Sequence, residues 1–176
     1  MARKKTNPRR IPIARKNIDT NAVVEEAMKD DLIHAWLLTA DALISLEHIN
    51  PDELSGLADA VNRYIEKGSK QGKEEIVRAE KIVATKKPRV NPNYVRSPYD
   101  LEKFKKKVER IALQTGLCVI CLGLESTGKF SEEDLKRIFF AADLTLAEID
   151  SGVNSYENIQ NELLKKVETL EMLKDV

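Results

Sequence analysis

One pattern occurs twice in this sequence: an acidic helix start, an apolar stripe at helical spacing and a closing glycine. The two copies are residues 49–68 and 130–152. An offset of 81 positions aligns their apolar stripes, and it also aligns the apolar runs around Trp36 and Leu117. With three more residues allowed, Gly68 aligns with Gly152. At the offset of 81 the stripe pairs are Leu54 with Leu135, Leu57 with Ile138, Val61 with Ala142, and Ile65 with Leu146.

Self-similarity at a fixed period is the sequence signature of a repeated structural unit. The pattern therefore predicts an internal duplication, with two copies of about 84 residues that nearly fill the 176-residue chain. The alternative is that two unrelated amphipathic helices share the pattern by chance.

The composition favours an all-α protein. Hydrophobic residues make up 42% of the chain and suffice for a core, whereas aromatic residues reach only 5% and the chain has few glycines and prolines. That balance suits helices better than a β-sandwich or barrel. No apolar run approaches the ~20 residues of a membrane-spanning helix. The basic start lacks the apolar core of a secretory signal, so we expect a cytoplasmic protein with reduced cysteines.

Helix signals divide the chain into four parts. We expect a basic extended arm over residues 1–18, a first helical unit over 19–84, a basic proline-containing linker over 85–98 and a second helical unit over 99–176. Each unit is predicted to be a three-helix bundle, with one long helix followed by two shorter ones. The predicted helix starts are at Asp19 or Thr20, Asn50, Lys73, Ser97, Ser131 and Ser155.

The long helix of the first unit is predicted to bury its large apolar residues, which recur at helical spacing. The predicted buried residues are Val24, Met28, Leu32, Ile33, Trp36, Leu37, Ala40, Leu43 and Ile44. In the second long helix the pattern predicts an end near Leu122, because Gly123 to Lys129 interrupts the spacing.

The charges are unevenly distributed although the net charge is zero. Eleven of the 29 basic residues lie in two segments without acidic residues. The rest of the chain contains the other 18 basic residues and all 29 acidic residues, so its net charge is −11. Basic extended segments can neutralise phosphates and release counterions. They therefore predict a nucleic-acid contact. The alternatives are an arm that docks on the acidic body of a partner subunit, in a homo-oligomer or with another protein, and a passive solubilising tail. The candidate residues are Arg3, Lys4, Lys5, Arg9, Arg10, Arg15 and Lys16 in the arm, and Lys86, Lys87, Arg89 and Arg96 in the linker.

Residues 123–129 match the first seven positions of a phosphate-binding P-loop. The eighth position must be Ser or Thr, whose hydroxyl binds magnesium, but here it is Phe130. Glu125 would also place a carboxylate among phosphate oxygens. The favoured interpretation is a turn between helices, and a strand at Leu117 to Leu122 would be needed to restore the nucleotide site.

The sequence gives no convincing catalytic or metal site. Cys118 and Cys121 have the spacing of a metal-binding pair, but structural zinc needs four ligands, and the only histidines, His34 and His48, belong to the other half. The two cysteines are therefore expected to pack as small apolar core residues. No nucleophile accompanies His34, and Trp36 is expected to be the largest core side chain of its half.

The opening of the chain, through Asn7-Pro8-Arg9-Arg10, resembles that of small prophage-encoded proteins of Gram-positive bacteria. Those proteins are about half as long and combine such an arm with a long apolar helix, an acidic-start helix and a closing glycine. The stretch from Asp134 to Ile159 is similar to their C-terminal part. The second arm departs from the pattern, because Asn93-Tyr94 replaces the paired arginines. The resemblance implies a mobile-element origin and no catalytic residue.

These observations predict a non-enzymatic accessory or regulatory protein of a prophage, without a cofactor, that contacts nucleic acid through its basic segments. The alternative is a protein-binding module, such as an inhibitor or adaptor, that uses the acidic helical surfaces. A nucleotide-hydrolysing enzyme is the third possibility.

Overall fold

The computed structural model describes residues 20–67, 73–84 and 98–174. Every regular element in these ranges is helical, which confirms the predicted all-α class. The helices are α1 (Thr20–Ser45), α2 (Leu54–Glu66), α3 (Lys73–Val83), α4 (Pro98–Ser126), α5 (Glu132–Asp150) and α6 (Tyr156–Lys174), and a 3₁₀ turn at Pro51–Glu53 leads into α2.

The predicted helix starts at Asn50 and Ser131 are confirmed by their capping geometry. The backbone N–H of Asn50 donates to the Glu53 carboxylate at 3.1 Å. At α5, the N–H of Asp134 donates to the Ser131 hydroxyl at 3.2 Å, and the N–H of Ser131 donates to the Asp134 carboxylate at 3.0 Å. These reciprocal bonds satisfy N–H groups that a helix start otherwise leaves unpaired. Donation by Ser131 also lowers the pKa of Asp134.

The predicted break in the second long helix is wrong. α4 continues through Gly123 to Ser126, and the turn to α5 follows at residues 127–131. Gly123 serves packing rather than termination, because a β-carbon added there would lie 3.0 Å from a methyl group of Val61 on α2. The missing side chain therefore lets α2 approach α4 closely.

The centre of the fold is the pair of long helices, α1 and α4, which make the most extensive helix contact in the described residues. A β-carbon added at Gly116 of α4 would lie 3.0 Å from the β-carbon of Ala35 of α1. Twelve residues earlier in α4, Phe104 shares an apolar cluster with Ala27, near the start of α1. The N-terminal halves of both helices are thus together, and the helices run in the same direction.

The buried face of α1 differs in part from the predicted one. Ala40 and Leu43 are buried as predicted, but the exposed fractions of Met28 and Ile33 are 50% and 60%. Ala27, Ala35 and Ala42 are buried instead, together with Leu38. Small residues admit a second helix at short distance, so the close contact with α4 selects the alanine face and places several larger side chains at its margins.

The shorter helices of each half of the chain pack against the long helix of the other half. α2 and α3 pack against α4, and α5 and α6 pack against α1. α3 also contacts α5, and α6 contacts the 3₁₀ turn before α2. One main core cluster consequently contains residues from all six helices.

The close α1–α4 contact makes Gly116 intolerant of a large side chain. We expect Gly116→Leu to lower the free energy of unfolding by about 1–3 kcal/mol, because overpacking forces neighbouring groups to shift. The matched control is Gly56→Leu in α2, where an added β-carbon has no atom within 4 Å. That change should be neutral or raise stability by up to about 1 kcal/mol, because leucine is the better helix former. Urea denaturation of both variants is the measurement, and equal stabilities would contradict the described packing.

Candidate functional site

The eleven basic residues predicted to contact nucleic acid all lie outside the described residues. The arm with Arg3 to Lys16 precedes α1, and the segment with Lys86 to Arg96 precedes α4. Because α1 and α4 run in the same direction with their N-terminal halves in one cluster, both segments connect to the bundle at the same end.

A groove of about 610 Å³ lies close to this end, between α1 and α4, and α5 and α6 contribute to its lining. Its apolar lining consists of Val23 and Ala27 of α1, Leu113 of α4 and Leu146 of α5. The volume falls within the range of small-ligand pockets.

Charged side chains form the rest of the groove. α1 supplies Glu26, Asp30 and Asp31, so its wall is acidic. α4 supplies Lys105, Lys106 and Arg110 together with Glu109, so its wall is mainly basic. Arg110 Nη1 lies 4.0 Å from Asp150 Oδ2 of α5, which partly neutralises this arginine.

Asp31 is the unusual residue of the groove, because it is a buried carboxylate with one unsatisfied oxygen. The residue is only 7% exposed. Its Oδ1 lies 3.4 Å from Nδ1 of His34, whereas Oδ2 is buried without a hydrogen-bond partner. Burial raises the pKa of Asp31, and the neighbouring His34 opposes this only in part. An unsatisfied buried acceptor of this kind costs stability.

An aromatic pair from α1 and α6 adjoins Asp31. The rings of His34 and Tyr156 are stacked, with centroids 3.8 Å apart and an interplanar angle of 9°. Burial, followed by the charges of Asp31 and Asp150, raises the pKa of Tyr156 to about 12. Tyr156 is therefore a neutral hydroxyl at physiological pH.

The groove has the features of a binding site. Its described lining contains no Ser, Thr or Cys beside His34. No group of three potential ligands able to hold a metal ion occurs in ranges 20–67, 73–84 and 98–174. The groove does offer a carboxylate acceptor, a flat aromatic surface and apolar side chains.

The other motifs singled out in the sequence have structural roles. Leu117 to Leu122 is helical, so the strand that a P-loop requires is absent there. The expected turn between helices is present but begins only after Ser126. The Lys129 ammonium lies 3.8 Å from the Glu53 carboxylate. Cys118 and Cys121 are buried, as predicted, and do not form a disulfide. Burial raises the pKa of Cys121 to about 12. Trp36 is only partly buried against the core.

Sequence reasoning noted His34 but missed its partners, Asp31 and Tyr156. The available signal was that Asp31 lies at helical spacing between Ala27 and Ala35. That signal becomes visible only when the alanines, rather than the large apolar residues, define the buried face. No sequence pattern singled out Tyr156. The turn before α6 sets where α6 packs, and this decides which residue Tyr156 contacts.

Comparisons of the chain with protein-family models, curated proteins and solved structures found no match. In the described residues, no helix is long and apolar enough to cross a membrane.

We expect Asp31→Asn to raise the free energy of unfolding at neutral pH by about 1 kcal/mol, because it removes a buried charge that lacks full hydrogen bonding. Because the pKa of Asp31 is higher in the folded than in the unfolded protein, its carboxylate lowers the free energy of unfolding at neutral pH. The cost of the carboxylate is fully present above its folded pKa and disappears as the pH falls below its unfolded value of 3.8. The stability difference between variant and wild type should therefore shrink in acid.

Denaturant unfolding at several pH values measures this difference. His34, Asp30 and Glu109 carry the other charges that act on Asp31, and both proteins retain them. A variant less stable than wild type at neutral pH would indicate that the Asp31 carboxylate supports the fold instead.

Proposed function

We propose that the two halves of the chain are copies of one unit, arranged as a fused dimer whose shorter helices pack on the opposite long helix. The support is the reciprocal pattern of contacts. α2 and α3 pack on α4 as α5 and α6 pack on α1, and α3 meets α5 as α6 meets the 3₁₀ turn before α2. An intertwined dimer of a half-length chain would produce this pattern.

Individual residues agree with the repeat offset of 81. Ala35 and Gly116 are separated by that offset, and they are neighbours across the α1–α4 contact. Residues near a two-fold axis contact their own counterparts, so this pair is expected near the axis. Gly123 meets Val61, and the counterparts of these two residues, Ala42 and Ala142, are both buried in the main core.

In a fused dimer neither half closes its own core. We expect separately produced fragments 1–84 and 85–176 to be largely unfolded or self-associated, and to regain helical structure when mixed in equal amounts. Circular dichroism and sedimentation velocity of each fragment and of the mixture provide the test. Two folded monomeric fragments would contradict the exchange of helices.

We infer that the protein is a non-enzymatic accessory or regulatory protein of a mobile element that contacts nucleic acid through its two basic segments. The observation that supports this best is the parallel course of α1 and α4, because it brings the attachment points of both segments to one end of the bundle. The two segments that precede α1 and α4 therefore bring eleven basic residues, with no acidic residue among them within either segment, to this end of the bundle. The resemblance to prophage-encoded proteins supports the same interpretation.

Two segments at one end can engage neighbouring phosphates of the same nucleic acid. The second contact is then intramolecular and strengthens binding without new chemistry. The rest of the chain carries −11, which repels nucleic acid and should keep the affinity low. Weak, strongly salt-dependent binding is the expected behaviour.

On duplex DNA, each neutralised phosphate should add about −0.9 to the slope of log affinity against log salt concentration, so engaging about four phosphates gives a slope near −3.6. We expect removal of residues 1–16 to flatten this slope. Replacing Lys86, Lys87, Arg89 and Arg96 by glutamine should flatten it further, because the remaining basic segment is lost. Fluorescence anisotropy at several salt concentrations is the measurement.

The matched control replaces four basic residues of α5 and α6 by glutamine, namely Lys136, Arg137, Lys165 and Lys166. This variant has the same change in net charge as the linker variant, yet it should keep the wild-type slope. A full-length protein that shows no salt-dependent binding to duplex or single strands at low ionic strength would refute the nucleic-acid proposal.

Protein binding is the second candidate, and exposed apolar residues on α5 favour it. Phe140 and Leu144 lie one turn apart with exposed fractions of 66% and 54%. Exposed Glu133 and Asp143 lie on the same helix. A pull-down with and without nuclease separates the candidates: capture that survives nuclease and is lost in Phe140→Ser supports protein binding, whereas nuclease-sensitive capture supports the nucleic-acid contact.

A further inference from the structure

We propose that the groove between α1 and α4 is a binding site for a guanidinium group, with Asp31 as its anion. The site is formed by the described helices and would bind a cationic group rather than phosphate. The proposal follows from the charge of the groove, the unsatisfied oxygen of Asp31 and the adjacent aromatic pair.

The charge of the groove favours a cation. Five carboxylates line it, against three Lys or Arg side chains. Arg110 and Asp150 form an ion pair at 4.0 Å, which leaves Glu26, Asp30, Asp31 and Glu109 against two lysines. An anionic ligand would meet this excess of carboxylates, whereas a cation is attracted by it.

Asp31 supplies the specific acceptor. Its Oδ2 is buried and has no hydrogen-bond partner, while Oδ1 is held only by a 3.4 Å contact with His34. Rotation about the bond from Cβ to the carboxyl carbon is a soft motion in aspartate, so either oxygen can turn toward a ligand in the groove. A bound donor would compensate the cost of this unsatisfied acceptor.

The shape of the site distinguishes guanidinium from ammonium. A guanidinium group presents a planar fork of N–H donors that matches the two oxygens of a carboxylate, and it also stacks on aromatic faces. The flat pair of His34 and Tyr156 lies next to Asp31. Val23, Ala27 and Leu146 offer apolar contacts for the methylene groups of an arginine side chain.

Comparison of the halves, which rests on the duplication proposed above, supports a role for Asp31 other than helix packing. At the offset of 81, the counterparts of Asp31 and His34 are Ala112 and Thr115. Ala112 is a buried apolar residue, and the Thr115 hydroxyl donates to the carbonyl of Ile111 in its own helix. The second half thus packs with alanine at this position, which favours a ligand role for the carboxylate of the first half.

The experiment titrates the full-length protein with Nα-acetyl-arginine amide and follows backbone amide shifts by NMR. We expect saturable shifts centred on Asp31, His34 and Tyr156. Asp31→Asn should weaken binding at least about tenfold, because a charge-assisted hydrogen bond is lost. The neutral citrulline analogue should not bind, and the lysine analogue should bind more weakly than arginine.

The matched control is Asp41→Asn. Asp41 is on the same helix, and burial raises its pKa as well, but its carboxylate accepts from Thr145 away from the groove. This variant should keep the wild-type affinity. Circular dichroism establishes that each variant is folded. Equal affinity for the arginine and citrulline analogues, or unchanged affinity in folded Asp31→Asn, would overturn the proposal.

Two further titrations identify the source of the guanidinium. Free arginine, compared with the capped form, distinguishes a small molecule from an arginine side chain in a peptide. A full-length variant with Arg9, Arg10 and Arg15 changed to glutamine tests the chain's own arm, which connects to the same end. Tighter binding of the probe by this variant would identify the arm as the competing occupant, and unchanged affinity would point to a separate ligand.

Discussion

The fold depends on the close contact between α1 and α4. Ala35 faces Gly116 at a distance that excludes larger side chains. Helices packed this closely also fix their relative direction, and here they run parallel. Parallel helices cannot be joined by a short turn, so α2 and α3 must intervene between them in the chain. Those helices pack on α4, and α5 and α6 cover α1.

The same contact creates the groove and accounts for its character. The groove lies beside this contact, where charged side chains of α1 and α4, including Asp30 and Lys106, line it together with residues of α5 and α6. Asp31 lies at this margin, too buried to be fully hydrated and without enough protein donors. An unsatisfied buried acceptor is costly, and the proposed guanidinium ligand would give Asp31 the missing donor.

Charge is divided between the helical body and the segments that precede its two long helices. The body is acidic and the segments are basic. A basic segment next to an acidic body favours contact with phosphates through the segment rather than through the body, as the proposed nucleic-acid contact requires. Because α1 and α4 run parallel, the basic segments that precede these two helices in the sequence join them at the same end of the bundle.

The sequence by itself determined the local structure. Composition indicated an all-α fold. Capping residues such as Asn50 and Ser131 located helix starts, because capping signals act within a few residues.

Tertiary structure decided which faces are buried. The periodicity of large apolar residues placed Met28 inside, whereas close helix packing selected Ala27, Ala35 and Ala42. Tertiary packing also accounts for the continuation of α4 through Gly123, because Val61 of α2 occupies the space that a side chain at Gly123 would need. The groove needed both long helices and α6, since His34 of α1 stacks on Tyr156 of α6 across 122 sequence positions. Contacts over such separations depend on how whole helices pack, which no local pattern encodes.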